Sequence, residues 1–252
     1  WARYSLIGLE ASKVIFIKKN LIEIQLNGEI IESFQCEDPL GYIDDLQKSF
    51  ELKQNQDLPI FNGGLVGYFG YDCVRFIEHK LANSEPPDQI GTPDALFMIS
   101  DEVAVFDNHK NKLHLIVLVE SEEDIEKANI RLDELEAKLK ESLPFEEFKK
   151  PIKSIEESDF VSGFGEEEFK LSVEKAKEYI ESGDIMQVVC SQRMSIPFNA
   201  DPVALYRSVR QLNPSPYMYY LNLDEFHIVG SSPEILARLE DGKITVRPIA
   251  GT

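Results

Sequence analysis

Positive charge is scarce in this sequence. Its 252 residues include 26 Lys and Arg against 45 Asp and Glu, and the formal net charge is −19 at pH 7. Because no basic stripe offsets it, this charge repels the phosphates of nucleic acids and the surface of an anionic membrane. The composition therefore argues against both partners, and beyond solubility it says little about the fold.

Long apolar runs and cysteines are also few. The sequence has no apolar stretch of 18 or more residues, so we expect no transmembrane helix. No secretory signal is recognisable, but a sequence that starts at Trp1 and not at Met carries little information about a signal peptide. The three cysteines, Cys36, Cys73 and Cys190, lie far apart and lack the spacing of metal ligands. They predict reduced thiols and a cytoplasmic protein.

The first half of the sequence is rich in strand and hairpin patterns. Asn27-Gly28, between two apolar segments, is typical of a tight hairpin turn. A helix is predicted from Pro39 to about Leu52, because Asp38 suits the N-cap and Pro39 the first helical position. Apolar residues at helical spacing predict a second helix over about 125–139, laid on a sheet. The predicted strands are residues 2–8, 14–17, 22–26, 95–99, 103–106 and 113–119.

A surface linker is predicted at 141–160, where acidic and basic residues alternate and two prolines occur. It separates two predicted domains, residues 1–145 and 158–252. The elements predicted in the second domain are a helix between Gly165 and Gly183, a strand over 185–196, a helix over 202–211, and hairpins over 217–229 and 235–246. Mixed strands and helices with mainly hairpin connections predict an α+β class with antiparallel sheets.

The glycine-rich segment Gly63-Gly64-Leu65-Val66-Gly67-Tyr68-Phe69-Gly70 superficially matches a phosphate-binding loop. It lacks the Gly-Lys-Ser/Thr ending and a strand-to-helix context. We interpret it instead as a strand that packs closely against its neighbour. The four histidines are scattered, and none lies beside a Ser or Cys in a nucleophile motif.

Gln187 and Glu234 stand out from their surroundings. Gln187 interrupts an apolar run, and a strand there would bury its amide at a cost of about 1–3 kcal/mol unless it is bonded or faces a polar cavity. Glu234 lies in a turn before a predicted strand, where catalytic acids are common. Taken alone, each is more often a structural polar residue. The segment 213–218 is compatible with binding of a small planar ligand, but the residue preferences of ordinary turns explain its sequence equally well.

Five segments, taken together and in order, resemble one family: the large subunit of anthranilate synthase, a chorismate-utilising enzyme. They are Gly63-Gly64-Leu65-Val66-Gly67-Tyr68, Gly183-Asp184-Ile185-Met186-Gln187-Val188-Val189, Asn213-Pro214-Ser215-Pro216-Tyr217-Met218, Gly230-Ser231-Ser232-Pro233-Glu234 and Pro248-Ile249-Ala250-Gly251-Thr252. The resemblance covers essentially the whole chain and implies a β-sandwich-like arrangement of antiparallel sheets with flanking helices. Because the last motif ends with the chain and the first residues read as a strand already under way, we expect a truncated fragment, inactive alone.

The resemblance implies that chorismate and ammonia are converted to anthranilate and pyruvate, the first committed step of tryptophan biosynthesis. Relatives that add water to chorismate carry a basic Lys at the position of Gln187, whereas a neutral amide suits ammonia. Aminodeoxychorismate synthases often carry a nucleophilic Lys at the position of Ala250. Both differences favour anthranilate synthase. The alternatives are an aminodeoxychorismate or aminodeoxyisochorismate synthase, and a non-catalytic fragment that binds an aromatic amino acid.

The same resemblance implies roles for individual residues. Glu234 would be the general acid that protonates the departing C4 hydroxyl while ammonia adds at C2, and Gln187 would be the second catalytic residue. Ala250, Gly251 and Thr252 would hold the substrate. Mg²⁺ would be bound by glutamates of the C-terminal part, so we expect no metal ligand within these 252 residues.

Regulation and partners are implied in the same way. Tryptophan would act as a feedback inhibitor, at a site formed by the segment 213–218 and an N-terminal segment that this sequence lacks. The residues implied in that site are Asn213, Ser215, Pro216, Tyr217 and Met218. A glutamine amidotransferase subunit would supply the ammonia.

Overall fold

The structure is a computed structural model, and it describes residues 3–50, 57–82, 84–142 and 154–249. The chain divides into two compact units, Trp1–Leu143 and Pro144–Thr252. Every strand pairing among the described residues is antiparallel, and helices occur between the strands. The predicted α+β class with antiparallel sheets is confirmed.

The described part of the first unit contains two antiparallel sheets. The strands are β1 (Tyr4–Gly8), β2 (Lys13–Lys18), β3 (Leu21–Leu26), β4 (Glu29–Gln35), β5 (Gly64–Phe69), β6 (Ala95–Ser100), β7 (Glu102–Asp107) and β8 (Lys112–Val117), and the helices are α1 (Pro39–Ser49), α2 (Val74–Ile77) and α3 (Ile125–Leu139). The five-stranded sheet has the order β4-β3-β2-β6-β5, and the three-stranded sheet has the order β1-β7-β8. All six strands predicted in this half are present.

One face of the five-stranded sheet forms the main hydrophobic core. Directly paired residues share a face of a sheet, and Ile15 of β2 lies opposite Ile24 of β3 and Phe97 of β6. Alternate residues of these strands therefore form one apolar layer, and α1 packs on it. The buried members of the core are Ile15, Ile17, Ile22, Ile24, Ile43, Cys73, Ala95 and Phe97.

Helix α1 begins where its capping residues predict. The Gly41 N–H donates a hydrogen bond to Asp38 Oδ1 at 2.9 Å, and Pro39 occupies the first turn. The helix ends at Ser49, because Phe50 adopts an extended backbone. The prediction of a helix to about Leu52 was therefore too long.

Helix α3 lies on the three-stranded sheet beside β8, as its apolar stripe predicted, and buries Leu135. An ion pair joins the helix to β7. The Arg131 guanidinium donates two hydrogen bonds to the Glu102 carboxylate, at 2.8 and 2.9 Å. This bidentate geometry orients both side chains, and the hydrogen bond to Glu102 is the main reason that the pKa of Arg131 is raised.

Asp107, at the end of β7, is a buried carboxylate with 2% of its surface exposed. It accepts a hydrogen bond from Arg3 Nη2 at 3.1 Å, and from the backbone N–H groups of His109 and Lys110 at 3.0 and 3.1 Å. The Arg3 guanidinium, followed by the two backbone N–H groups, lowers the pKa of Asp107 to about 2 although burial opposes the shift. This carboxylate fixes β1 and the turn after β7 at the same point.

The glycine-rich segment forms β5, as a closely packed strand. Gly67 lies opposite Phe97 of β6. A Cβ atom at Gly67 would lie 1.8 Å from the carbonyl oxygen of Leu96, far inside van der Waals contact. The strand interpretation of this segment is therefore confirmed.

The described part of the second unit contains three two-stranded sheets. Its strands are β9 (Val161–Ser162), β10 (Met194–Ser195), β11 (Tyr217–Asn222), β12 (His227–Ser232), β13 (Arg238–Glu240) and β14 (Lys243–Thr245), and its helices are α4 (Glu166–Glu181) and α5 (Pro202–Leu212). Helix α4 ends as predicted: the N–H groups of Gly183 and Asp184 donate to the carbonyls of Ile180 and Tyr179. Both predicted helices and both predicted hairpins are present.

The strand predicted over 185–196 is wrong over most of its length. Only Met194–Ser195 forms a strand there, paired with β9, and residues 185–193 are irregular. Met186 is 96% exposed and Val189 is 67% exposed. An apolar run forms a strand only when another strand pairs with its backbone, and among the described residues such pairing is limited to Met194–Ser195. No described helix is long and apolar enough to cross a bilayer.

We expect Gly67→Ala to lower the free energy of unfolding by about 2 kcal/mol, because the added methyl group forces β5 and β6 apart. Gly8→Ala is the matched control, since the nearest atom to its Cβ, Ser100 Oγ, is 3.9 Å away. The control should stay within about 0.5 kcal/mol of the wild type. Urea unfolding of the three chains measures the difference, and equal losses would contradict the close-packing argument.

Asp107 should also make stability depend on pH. Its pKa of about 2 in the folded chain lies below the ordinary value of about 3.9. The carboxylate therefore stabilises the fold fully above about pH 4, and this contribution disappears as the pH falls towards about 2.

We expect Asp107→Asn to be less stable than the wild type at pH 7, and the gap to narrow between about pH 4 and pH 2. Asp45→Asn is the control, because the Asp45 side chain is 85% exposed. Urea unfolding at several pH values measures both. A gap for Asp107→Asn that is the same at about pH 7 and about pH 2.5 would rule out the role of its charge.

Candidate active site

The hairpin of β11 and β12 brings two of the sequence-predicted segments side by side. In its register Tyr217 pairs with Ser232, and Met218 pairs with Ser231. The segment 213–218 therefore lies beside the segment 230–234 at the open end of the hairpin. The opposite end is closed by the turn at Asp224, which has a positive φ of 59°.

One face of this hairpin end looks towards helix α5. Met218 and Ser231 share that face with Tyr220, whose ring lies 6.4 Å from the ring of Tyr206 on α5. The Ser231 hydroxyl donates a hydrogen bond to the carbonyl of Asn213, at the end of α5, at 2.8 Å. The hydroxyl therefore connects the helix end to the strand beside Met218.

The other face carries Tyr217 and Ser232. Arg238 Nη2 donates to the Tyr217 hydroxyl at 3.4 Å, so the start of β13 approaches this face. Successive side chains of a strand point to opposite faces. The five residues implied in the tryptophan site are thus divided: Met218 lies on the face of Ser231 and Asn213, and Tyr217 lies on the opposite face.

The remaining residues implied in that site lie between α5 and β11. Pro216 is exposed, and Ser215 is half-buried. Both precede the strand directly, so they belong to the same end of the hairpin as Met218. The structure therefore brings the whole implied segment to one place while separating its two largest side chains.

Glu234 follows β12 and is half-buried. Its position after a strand differs from the predicted turn before one, because β12 extends to Ser232 and the next strand begins only at Arg238. The Ser232 hydroxyl donates to the Glu234 carbonyl at 3.0 Å and accepts from the Glu234 N–H at 3.4 Å. This local turn fixes the backbone from which the carboxyl group projects.

The Glu234 carboxyl group is held by a residue from a distant part of the sequence. The Ile249 N–H donates a hydrogen bond to Glu234 Oε1 at 3.1 Å. Ile249 directly precedes the segment 250–252, in which the resemblance places the substrate-holding residues. Ala250, Gly251 and Thr252 themselves lie outside the described residues. Glu234 is nevertheless bonded to the residue next to them.

Gln187 does not have the surroundings that the sequence predicted. It lies in the irregular segment after α4 and is exposed, whereas a buried strand position was expected. The expectation rested on the apolar run around it, and that run is itself exposed at Met186 and Val189. Because Gln187 is exposed, water can solvate its amide, and no polar cavity is required.

The described residues contain no group of three or more His, Cys, Asp or Glu side chains that could hold a metal ion. Of the four histidines, His227 has a structural contact: its ring stacks on Tyr220, and its Nδ1 lies 3.3 Å from the Tyr220 hydroxyl. The three cysteines are free thiols. Burial raises the pKa of the Cys73 thiol to about 11, so it is not a reactive nucleophile.

Sequence reasoning missed two groups that contact Glu234. The Ser232 hydroxyl has a visible signal, because a Ser two residues before a Glu commonly forms such a turn. Ile249 has no such signal, since it contributes a backbone N–H that every residue except proline carries.

The comparison with family models identifies the family of the chain. The model of the chorismate binding enzymes matches residues 19–252. The chain belongs to the chorismate binding enzyme family. This membership confirms the resemblance that the five sequence segments indicated.

The chain is similar over its whole length to several curated proteins. It is 46% identical over 255 residues to anthranilate synthase component 1 of Pseudomonas aeruginosa, covering 100% of this chain and 52% of the relative. It is 45% identical over 258 residues to the protein of that name from Neisseria gonorrhoeae, covering 51% of the relative. The chain thus spans about half the length of the curated relatives that it matches.

A solved structure agrees with these relatives. The fold matches that of anthranilate synthase component I from Streptococcus pneumoniae TIGR4 with a TM-score of 0.79 and 30% sequence identity. The match covers 96% of this chain and 53% of that one. It confirms the predicted fold class.

Proposed function

We propose that this chain is part of the large subunit of an anthranilate synthase, which forms anthranilate and pyruvate from chorismate and ammonia. Similarity over the whole chain to proteins of that name supports the proposal. Because the chain spans about half the length of those relatives, the activity belongs to the full-length protein in which this sequence stands.

The observation that carries the proposal is the hydrogen bond between Glu234 Oε1 and the Ile249 N–H. A general acid must lie close to the bound substrate. The bond ties the candidate acid to the residue before Ala250-Gly251-Thr252, where Gly permits close approach and Thr offers an N–H and a hydroxyl to a substrate carboxylate. The proposed acid and the proposed substrate-holding residues therefore belong to adjoining parts of one site.

Glu234 acts in this proposal as the proton donor. Ammonia adds at C2 of chorismate, the C4–O bond breaks, and the carboxyl proton leaves with the C4 oxygen as water. A second step eliminates pyruvate and leaves the aromatic amine. Gln187 carries a neutral amide, which takes no proton, and this suits ammonia because ammonia needs no general base to become a nucleophile.

The substrate-holding role of Ala250, Gly251 and Thr252 is supported by their residue types alone. Ala250 has no nucleophilic atom, so a covalent intermediate at this position is chemically impossible. This favours direct addition of ammonia over the route of an aminodeoxychorismate synthase with a nucleophilic Lys.

Mg²⁺ is proposed as the cofactor of the full-length protein. The ion would act as a Lewis acid on the substrate carboxylate. The resemblance assigns its ligands to glutamates of the C-terminal part of the full-length protein.

The proposed partner is a glutamine amidotransferase subunit that supplies ammonia. The proposed location is the cytoplasm, which suits the three free cysteines because a reducing compartment preserves thiols. Tryptophan is the proposed inhibitor. Its site would use Asn213, Ser215, Pro216 and Met218, with Tyr217 on the face of the strand opposite Met218.

Product analysis of the full-length protein tests the reaction. With chorismate, ammonium and Mg²⁺, we expect anthranilate, read by its fluorescence and mass. Glu234→Gln should lower kcat about 100-fold or more, because the amide cannot donate the proton. Glu240→Gln, on the exposed strand β13, is the matched control and should keep the activity.

The other products would contradict the proposal in different ways. A 2-amino product that retains the pyruvyl group indicates an aminodeoxyisochorismate synthase, and a 4-amino product indicates an aminodeoxychorismate synthase. Salicylate or isochorismate would refute the argument from Gln187. Binding of an aromatic amino acid without turnover would indicate a non-catalytic protein.

Replacing Met218 tests the inhibitor site. In the full-length protein, Met218→Ala should raise the tryptophan concentration for half-inhibition about tenfold, since a thioether contact of about 1.4 kcal/mol is lost. Turnover without tryptophan should change much less. Met194→Ala, at a position that is 52% exposed, is the control. Unchanged inhibition in the Met218 variant would remove this site.

A further inference from the structure

Ile249 is hydrogen-bonded to Glu234 through its backbone N–H and not through its side chain. Ile249 donates its backbone N–H to Glu234 Oε1 at 3.1 Å, from 15 residues further along the chain. Its side chain is 66% exposed, so packing of that side chain does not explain why the residue lies here. What Ile249 gives to the site is the amide.

This amide distinguishes the two oxygens of the carboxyl group. A protonated carboxyl has one carbonyl oxygen, which accepts hydrogen bonds, and one hydroxyl oxygen, which donates. Because Oε1 receives the Ile249 N–H, Oε1 is the accepting oxygen. The proton of the acid form is therefore carried by Oε2.

The same hydrogen bond becomes stronger when the proton leaves. An N–H donates a stronger hydrogen bond to a carboxylate than to a neutral carboxyl group. An interaction that strengthens as the reaction proceeds lowers the barrier to the chemical step, whereas uniform binding does not.

We propose that the backbone amide of Ile249 is a positioning group for the acid: it fixes the transferable proton of Glu234 on Oε2 and stabilises the carboxylate that forms. This inference rests on the proposed function. In the step, the C2–N bond forms, the C4–O bond breaks, and the Oε2 proton leaves with that oxygen as water. The carboxylate of Glu234 then regains a proton from solvent.

The amide also connects the acid to substrate binding. Ile249 is covalently joined to Ala250, the first of the three residues proposed to hold chorismate. The Ser232 hydroxyl separately fixes the Glu234 backbone.

The test removes the amide and keeps the side chain. In the full-length protein, residue 249 is replaced by the α-hydroxy acid with the isoleucine side chain, which converts the N–H donor into an ester oxygen. We expect kcat to fall about 10- to 100-fold, the range for losing a hydrogen bond to a charged group. The KM for chorismate should change about twofold or less.

An ester at Val246, three residues earlier and 62% exposed, is the control for the ester chemistry and should leave kcat unchanged. Thermal unfolding of both ester proteins checks that the fold is retained. The decisive comparison is made in the Glu234→Gln background. A positioning group acts through Glu234, so the ester at 249 should cause little further loss there.

The possible outcomes distinguish failure of the proposed function from failure of the positioning role. If the wild type forms no anthranilate, the proposed function fails, and this inference fails with it. If the wild type is active and the two esters behave alike, the positioning role alone is refuted. It is also refuted if the ester at 249 lowers kcat by the same factor in the wild type and in the Glu234→Gln variant, because that result describes a structural role.

Discussion

The register of the hairpin of β11 and β12 decides where the candidate groups of the second unit lie. Tyr217 pairs with Ser232, so the open end of the hairpin joins the segment before β11 to the segment that carries Glu234. A slip of one residue would exchange the faces of Tyr217 and Met218 and move both serines away from their present partners. The turn at Asp224, whose φ is positive, closes the other end of the hairpin, and turn geometry contributes to the register.

Burial differs between the two units. The first unit has a continuous core in its five-stranded sheet, whereas Leu223 is the one buried hydrophobic side chain in the described part of the second. Two-stranded sheets are marginal without a further layer. The unit with the candidate site therefore has the smaller core of its own. This small core agrees with the proposal that the activity belongs to a protein of the relatives' length, about twice that of this chain.

Signals that act within a few residues predicted the fold well. The cap at Asp38 and the turn at Asn27-Gly28 specify backbone geometry locally, and both elements formed. The prediction of a strand over 185–196 was wrong over most of its length, because an apolar run does not specify which strand would pair with it. The candidate acid Glu234 was visible as a side chain. Its contact with Ile249 was not, because a backbone N–H carries no sequence signal.

The pairing of β11 with β12 brings the two proposed sites close together, because Met218 pairs with Ser231, three residues before Glu234. Met218, on the face of α5, pairs with Ser231, and the next residue, Ser232, holds the backbone of Glu234 on the other face. If tryptophan contacts Met218, a displacement there acts on β12 directly through the backbone ladder. Coupling then needs no long network, only two arrangements of one hairpin end that the inhibitor and the substrate favour differently. The short distance makes the Ser232 turn the element through which such coupling would reach the acid.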